Sequence, residues 1–536
     1  MRRLTLLAVV LIALLAGCSL IAPNADTDAD SSVTLEPRSL DSDRPLGTVG
    51  NYTATDTFEL GPNSSTGLTT AELEAVKYRS MARIEVVRGL QFREDVGLEI
   101  VSRERYRQEN SWAEGAAGPY TNELWRAGFV VDGETEYNDA LGELYGGSVQ
   151  GYYSSGRIVL VTDEVDSVSV DRDTLVHELV HALQDQHFGL ARSGTTVDER
   201  RAESGLIEGE GNYVPHLYDQ RCGAAWECLP DLEREPGTAN QRPFNVGLYL
   251  SIYAPYAEGP TFVRHLHERG GERGSANGSA RVNASASENE TGDGEWAAVD
   301  AAFDDRPSST EQILHPERYP DDRPVNVSVA DRSGAEWEPF TVADESESEG
   351  EGEGEEKDET DLRTETVGEA TLFATLFANG IVDRPLTEGG TDISPYNYSH
   401  PITDGWAGDT LVAYHDRDDE DRTGHVWRLA WNSEADATQF REAYLKLLER
   451  HDAEAVSGAT DTYRVPDESG FAGAYRVTSE GDRVTIVGGP TVASLEDIHG
   501  SETRSPPSAI TAVGPLPTAP AEHSTTGIAA SAISDG

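Results

Sequence analysis

Lysine is almost missing from this 536-residue chain: Lys77, Lys357 and Lys446 are the only ones, and arginine carries nearly all of the positive charge. Positive charge of either kind is scarce, with 42 Lys and Arg against 96 Asp and Glu, for a formal net charge of -54. That balance argues against nucleic acid as a partner, because phosphate binding needs a basic footprint. A surface this acidic repels itself in dilute buffer and is screened at high salt, which points to a halophilic setting. A disordered acidic protein is excluded by long apolar stretches with regular spacing. Cysteine is nearly absent as well, at Cys18, Cys222 and Cys228. The last two lie far apart for a thiolate cage and have no adjacent histidine, which argues against a second metal site there. No long apolar run follows the N-terminus, so no later segment is expected to span a membrane. No short-period repeat is evident.

What is present centres on His177-Glu178-Leu179-Val180-His181, an HExxH run. Residues four apart lie on one face of an α-helix, so both imidazoles can reach one metal ion. Glu178 adjoins the first ligand, where a carboxylate can take a proton from metal-bound water. Asp173 or Thr174 can cap the start of this helix, and Leu175, Val176, Leu179, Val180 and Leu183 supply its buried stripe. With 13 His in 536 residues, chance alone gives an HExxH in roughly a few per cent of such chains. A third ligand is the sharper test, since catalytic zinc takes three protein ligands and leaves one position for water.

Residues 201–213 read as a second helix carrying three acids, Glu203, Glu208 and Glu210. Glu208 is favoured because it sits among apolar Leu206, Ile207 and Tyr213 and can face inward. At this point the chain resembles the gluzincin metallopeptidases, whose second helix supplies a glutamate, often within Asn-Glu-Gly-x-Ala. Here the run is Ile207-Glu208-Gly209-Glu210-Gly211, so the match selects Glu208, while Ile207 and Gly211 depart from the pattern. The run from His177 to Leu190 is similar to a group of bacterial and archaeal predicted metallopeptidases of the zincin type. The block Tyr256 to Gly271, the run Ser309 to Pro316 and Gly405-Trp406-Ala407-Gly408-Asp409 also resemble that group, whose haloarchaeal members are surface lipoproteins. The resemblance implies an α+β, zincin-like fold and one zinc ion held by His177, His181 and Glu208. It implies a peptide or protein substrate, with Glu178 as general base.

The tetrahedral oxyanion formed in such hydrolysis needs a donor beside the metal. Tyr256, Tyr253, Tyr213 and His216 are candidates, and Tyr256 ranks first because it precedes the apolar helical segment Thr261 to Leu266. Asn212, one turn after Glu208, and Asp185, one turn after His181, are candidates to orient a histidine ligand. The alternative function is a degenerate zincin used for binding or envelope structure. The intact Glu178 favours activity, since a structural site has no need of that carboxylate. A zinc hydrolase acting on a non-peptide amide bond is a third reading.

Arg2 and Arg3 followed by Leu4 to Leu14 make a signal-peptide pattern too short to span a bilayer. Leu15-Ala16-Gly17-Cys18 resembles a lipobox, which implies cleavage before Cys18, a lipid on that cysteine and anchorage at the outer face of the cell membrane. In an exported protein Cys222 and Cys228 are expected to form a disulfide. Residues 19–66 read as a flexible tether and 67–340 as the zincin-like domain, with a surface insertion at about 272–294. Within that domain Thr69 or Thr70 can cap a helix from Ala71 towards Gly89, and residues 121–145 look mainly helical. Leu98 to Ser102 is extended, and Gly151 to Tyr153 with Arg157 to Thr162 forms a strand before the HExxH helix. In zincins such an edge strand commonly lines the cleft and pairs with extended substrate, although a purely structural strand fits the pattern as well. Residues 341–362 read as an acidic disordered loop and 501–536 as a disordered tail. Between them, 363–500 reads as a helix near Thr366 to Ile381 followed by a small α+β part. Its elements are Trp427 to Asn432, a helix from Glu434 to Arg450, and extended pieces at 473–478 and 483–488.

Overall fold

Why the chain builds two sheets around one helical core follows from where its apolar periodicity changes from two to 3.6. The structure is a computed structural model, and it describes residues 33–57, 68–109, 116–162, 170–229, 244–277, 294–342 and 362–500. In chain order come β1 (Val33–Leu35), the hairpin β2–β3 (Thr48–Val49 and Tyr52–Thr53), α1 (Thr70–Arg88), β4 (Gly97–Ser102) and α2 (Arg103–Glu109). Then follow α3 (Gly118–Ala127), α4 (Tyr137–Ser148), β5 (Gly151–Ser154) and β6 (Arg157–Thr162). Long helices α5 (Arg172–Phe188), α6 (Val197–Asp219) and α7 (Val246–Asn277) lead to short helices α8 (Ala297–Asp304) and α9 (Thr310–Leu314). The C-terminal part holds β7 (Trp337–Pro339), β8 (Thr364–Glu365), α10 (Gly368–Ala378), β9 (Trp406–Asp416) and β10 (Asp419–Trp431). It ends with α11 (Glu434–Arg450), β11 (Glu454–Ala455), β12 (Thr462–Val465), β13 (Gly473–Glu480), β14 (Arg483–Gly489) and α12 (Ser494–Ile498).

The first sheet has the order β1-β4-β6-β5, with β4 and β6 parallel and the outer pairs antiparallel. Strand alternation sends Leu98, Ile100, Ile158 and Leu160 into the main core, while Val101, Val159 and Val161 pack with Tyr106 on the other face. Register Leu98↔Ile158 places the end of β6 just ahead of α5. The second sheet has eight strands, ordered β11-β12-β13-β14-β10-β9-β7 with β8 paired to β9. Its inner residues Trp427, Leu429 and Trp431 share the core with Phe440, Tyr444 and Leu447 of α11. The expected α+β architecture is present, and its C-terminal sheet is larger than the strands at 427–432, 473–478 and 483–488 foretold. Long β9 and the short β7, β8, β11 and β12 complete it.

Several polar ties bind the two parts. Asp198, near the start of α6, accepts from the Thr310 backbone N–H at 3.0 Å, and the Thr310 hydroxyl accepts from Ala370 N–H at 3.1 Å. Glu365 accepts from Val197 N–H at 2.6 Å. The Asp409 carboxylate accepts from Val367 and Gly368 N–H at 2.9 and 3.0 Å and from the Trp406 and Trp427 indoles at 3.0 and 3.1 Å. The block Ser309 to Pro316 is therefore a joint between the parts, Asp409 ties α10, β9 and β10 together within the C-terminal part, and Ala407 O accepts from Val325 N–H across the seam at 2.8 Å.

Three sequence expectations are corrected. Residues 33–57 are no tether: β1 pairs with β4 at Val33↔Ile100, Leu35 and Val49 are buried, and Gly47 N–H donates to Glu85 of α1. A low-apolar segment is held here by pairing with a better-patterned neighbour. The surface insertion begins later than 272, because α7 continues to Asn277. The α5 cap is Asp171, which accepts from Thr174 N–H at 2.9 Å, in place of Asp173 or Thr174. Thr69 caps α1 through a reciprocal box with Glu72. Cys18, the acidic run at 343–361 and the tail at 501–536 lie outside the described residues, and no helix among the described residues is long and apolar enough to cross a membrane. Cys222 and Cys228 are joined as a disulfide.

Candidate metal centre

Helices α5 and α6 bring the site together. On α5 the apolar positions Leu175, Val176, Leu179, Val180 and Leu183 are buried, which turns His177 and His181 to the opposite side, towards α6. Helix α6 starts with a capping box between Thr196 and Glu199, and carries Glu208 to the same point. His177 Nε2 lies 3.3 Å and His181 Nε2 3.2 Å from Glu208 Oε2. The two Nε2 atoms are 2.9 Å apart. Ligands at about 2.0–2.1 Å around a tetrahedral zinc ion sit roughly 3.3 Å from one another, so the spacing fits.

Two observations say that a cation belongs there. Glu208 Oε2 is buried and has no hydrogen-bond donor of its own. His181 Nδ1 donates to Gln184 Oε1 at 2.8 Å, which leaves the Nε2 lone pair aimed at the same spot. A lone pair facing a buried carboxylate oxygen is repulsive unless a proton or a metal ion lies between them, and one metal ion would serve both imidazoles and the carboxylate at once. These three residues are the group among the described residues whose donor atoms converge within 4.8 Å. The set is an HExxH-plus-glutamate zinc geometry of the gluzincin kind, and it assigns a hydrolytic metal site to this chain.

Tight packing makes the convergence possible. A Cβ built on Gly211 would meet His177 Cε1 at 2.9 Å, so a bare backbone lets the imidazoles lie against α6. At the crossing of α6 and α7 a Cβ on Gly209 would meet Gly259 O at 2.4 Å. That close approach delivers the tyrosines of α7 to the metal centre. Tyr249, Tyr253 and Tyr256 stack in sequence at 5.2 and 5.7 Å, and the Tyr256 ring lies 6.4 Å from that of His177. Tyr145 of α4 and Tyr152 and Tyr153 of β5 face them across a cleft of about 300 Å³ that contains His177, Glu178, His181 and Glu208.

Electrostatics follow from burial. Burial raises the Glu178 carboxyl above its ordinary value, opposed by His177 and His181, while the Tyr153 backbone N–H donates to it. Burial lowers His181, but the charge and hydrogen bond of Glu208 outweigh it and bring the metal-free imidazole to about 9. Glu208 moves well below the carboxylate range because the two histidines overcome its burial. Burial, then the charge of Glu208, pushes the Tyr256 phenol well up and keeps it a neutral O–H donor.

The other candidates separate cleanly. Tyr253 lines the cleft with Tyr256. Tyr213 instead lies 3.4 Å from His267 through its hydroxyl, and His216 is bonded to Gln220 at 2.9 Å. Asp185 accepts from the Tyr153 hydroxyl at 2.8 Å, so it fixes β5 to α5 and does not orient a ligand histidine. Asn212 is half-buried beyond Glu208, and the partner on His181 is Gln184. Glu203 and Glu210 are taken elsewhere: Glu203 accepts from Ser193 N–H at 3.1 Å, and Glu210 is bonded to Arg88 and, at 2.8 Å, to Gln184 Nε2.

Sequence reasoning missed Gln184, which sits three residues after His181 and carries no motif signal. It also missed the backbone of Tyr153, which no side-chain pattern could have revealed.

Comparison with known proteins adds one match. The family described as "Domain of unknown function (DUF8575)" matches residues 357–499, the C-terminal part that begins near β8. No curated protein and no solved structure matches this chain.

Proposed function

We propose that this chain is a zinc-dependent peptidase held at the outer cell surface by a lipid on Cys18, cutting peptide bonds in proteins of a high-salt environment. The observation that carries the reading is the convergence of His177, His181 and Glu208 within 4.8 Å, with buried Glu178 alongside. Zinc bound there would acidify a water molecule and polarise a carbonyl. Glu178 would accept the proton from that water and return it to the leaving amine, and its raised affinity for protons supports both tasks. Tyr256 presents a neutral phenol beside the metal ligands, where it can donate to the developing oxyanion.

A peptide suits the shape of the cleft. Strand β5 ends its sheet and lines the cleft with Gly151, Tyr152 and Tyr153, a backbone edge suited to an extended chain. The tyrosine walls suit aromatic or aliphatic side chains rather than charged ones. A digest of a proteome-derived peptide library in molar salt, with and without chelator, tests the reading. Chelator-sensitive cleavage next to apolar residues is the expected result, and no cleavage by zinc-loaded protein would remove it.

A further inference from the structure

The metal cleft carries one charged side chain that the hydrolysis set out above does not use. Arg192, in the link between α5 and α6, is the only Lys or Arg among the described residues that lines it. Burial raises the phenols of Tyr145 and Tyr256, and the charge of Arg192 opposes the rise at both, so the guanidinium stands close to those two walls. The Tyr256 ring in turn lies 6.4 Å from that of His177. Arg192 is thus on the Tyr256 side of the metal ligands.

The link that carries Arg192 is fixed on both sides. Arg306 donates to Gly189 O at 2.9 Å and to Ala191 O at 2.5 Å. Beyond Arg192, the buried Glu203 carboxylate accepts from the Ser193 hydroxyl at 2.6 Å and from the Ser193 and Gly194 N–H groups at 3.1 and 3.2 Å. Backbone held this way keeps an exposed side chain at the cleft, where a loose loop would let it swing away. Arg306 is spent on its two carbonyls, whereas Arg192 forms no hydrogen bond or ion pair among the described residues. Acids outnumber Lys and Arg 96 to 42 in this chain, so an arginine that faces phenols instead of a carboxylate is free to take an acid brought from outside.

The shape of the cleft says which acid. About 300 Å³ is at the small end of ligand sites and suits a few residues rather than a long run of chain. A peptide that short brings one of its ends inside. Arg192 repels a terminal ammonium and matches a terminal carboxylate, whose two oxygens take the parallel N–H groups of a guanidinium. An acidic side chain would carry the same charge, but tyrosine walls favour apolar side chains. A C-terminal residue meets both demands, with an apolar side chain against the tyrosines and its carboxylate on the arginine. Resting on the peptidase reading, we propose that Arg192 binds the C-terminal carboxylate of the substrate, so that the enzyme trims apolar residues from the C-terminal end of short peptides.

The test offers the zinc-loaded full chain, in molar potassium chloride, an N-acetylated tripeptide ending in leucine and phenylalanine, as the free acid and as the C-terminal amide. The acid should be cut with a kcat/KM about 10- to 100-fold above that of the amide, mostly through a lower KM. Arg192→Gln should bring that ratio close to one while its zinc content stays at the wild-type level, and Arg192→Lys should restore part of the ratio. Equal kcat/KM for the two peptides in the wild type would overturn the assignment. So would an undiminished ratio in Arg192→Gln, which would mean that the metal holds the carboxylate. Calorimetry makes the same comparison without turnover, on zinc-loaded Glu178→Gln with and without Arg192→Gln. Tighter binding of the acid that disappears with Arg192→Gln supports the site, and equal binding of acid and amide refutes it. Should the wild type cut neither peptide, the peptidase reading falls and the binding comparison alone decides the role of Arg192.

Discussion

Two hollows of this protein look alike in outline and differ in what their acids are doing. The larger, about 760 Å³, lies between α3 and the C-terminal sheet and is rimmed by Glu134, Asp419, Asp421 and Asp467, all exposed. Its one deeply buried acid, Glu123, is fully engaged by Arg126 at 2.8 Å, His425 at 2.6 Å and Thr423 at 2.6 Å. The smaller, about 300 Å³, is walled by tyrosine and holds a buried Glu208 oxygen with no donor of its own, facing two histidine nitrogens. A chain this acidic makes acidic hollows cheaply, because solvent and counter-ions screen them. Function is marked by buried lone pairs that the protein leaves for something else to satisfy.

The largest effect that separates the two hollows is loss of the metal. Wild-type protein purified in high salt should hold about one zinc per chain, and Glu208→Ala much less, as elemental analysis would show. If the variant keeps its zinc, the contrast drawn between the cavities fails. Glu178→Gln comes next: zinc content should stay at the wild-type level while turnover of a peptide substrate falls by roughly 10²- to 10⁴-fold. Tyr256→Phe should lower kcat by on the order of 10²-fold with KM nearly unchanged, the signature of a donor used in the transition state.

Glu258, two residues beyond Tyr256, is a third kind of acid, buried but away from the metal. Burial raises its carboxyl to about 7 from 4.5, opposed by the Tyr398 N–H that it accepts at 2.7 Å. The folded protein therefore holds this proton more tightly than the unfolded chain. Stability from this group is complete below about pH 4.5 and is lost as pH rises through 7, amounting to about 3 kcal/mol. Glu258→Gln should consequently unfold at a higher temperature than the wild type at pH 8, and the gap should close at pH 4.5. The smallest effect belongs to the larger cavity. Asp419→Asn combined with Asp421→Asn should change stability by no more than about 0.5 kcal/mol and leave peptide hydrolysis untouched, read by melting and by rate.

The legible part of this molecule was local. HExxH and the inward-facing Glu208 follow from spacing along single helices, and α11 was placed at its observed bounds, Glu434–Arg450, by periodicity alone. Choosing Glu208 over Glu203 and Glu210 was also possible, since the rejected acids have fewer apolar neighbours in sequence. What escaped depends on parts of the chain that meet only after folding. Gln184 earns its role by reaching His181 on one side and Glu210 on the other, and Glu210 in turn is bonded to Arg88 of α1. Asp185 sits at an equally good helical spacing from His181 but is drawn to Tyr153 by the approach of β5. Residues 33–57 misled because their composition is that of a linker, whereas pairing to β4 and burial of Leu35 and Val49 hold them in place.

The seam where α10 meets the long helices has a consequence for any attempt to study the halves apart. Leu372, Phe373 and Leu376 are buried, and they belong to the same apolar core as Leu248 and Leu250 of α7. Cut free near residue 362, the sheet-bearing piece would carry a naked greasy helix and should clump. The other piece would lose Glu365, the acceptor at the first amide of the helix that brings Glu208 to its place. The two halves are thus one folding partnership, and the C-terminal half supports α7 from behind, with the Tyr396 ring 5.6 Å from that of Tyr253.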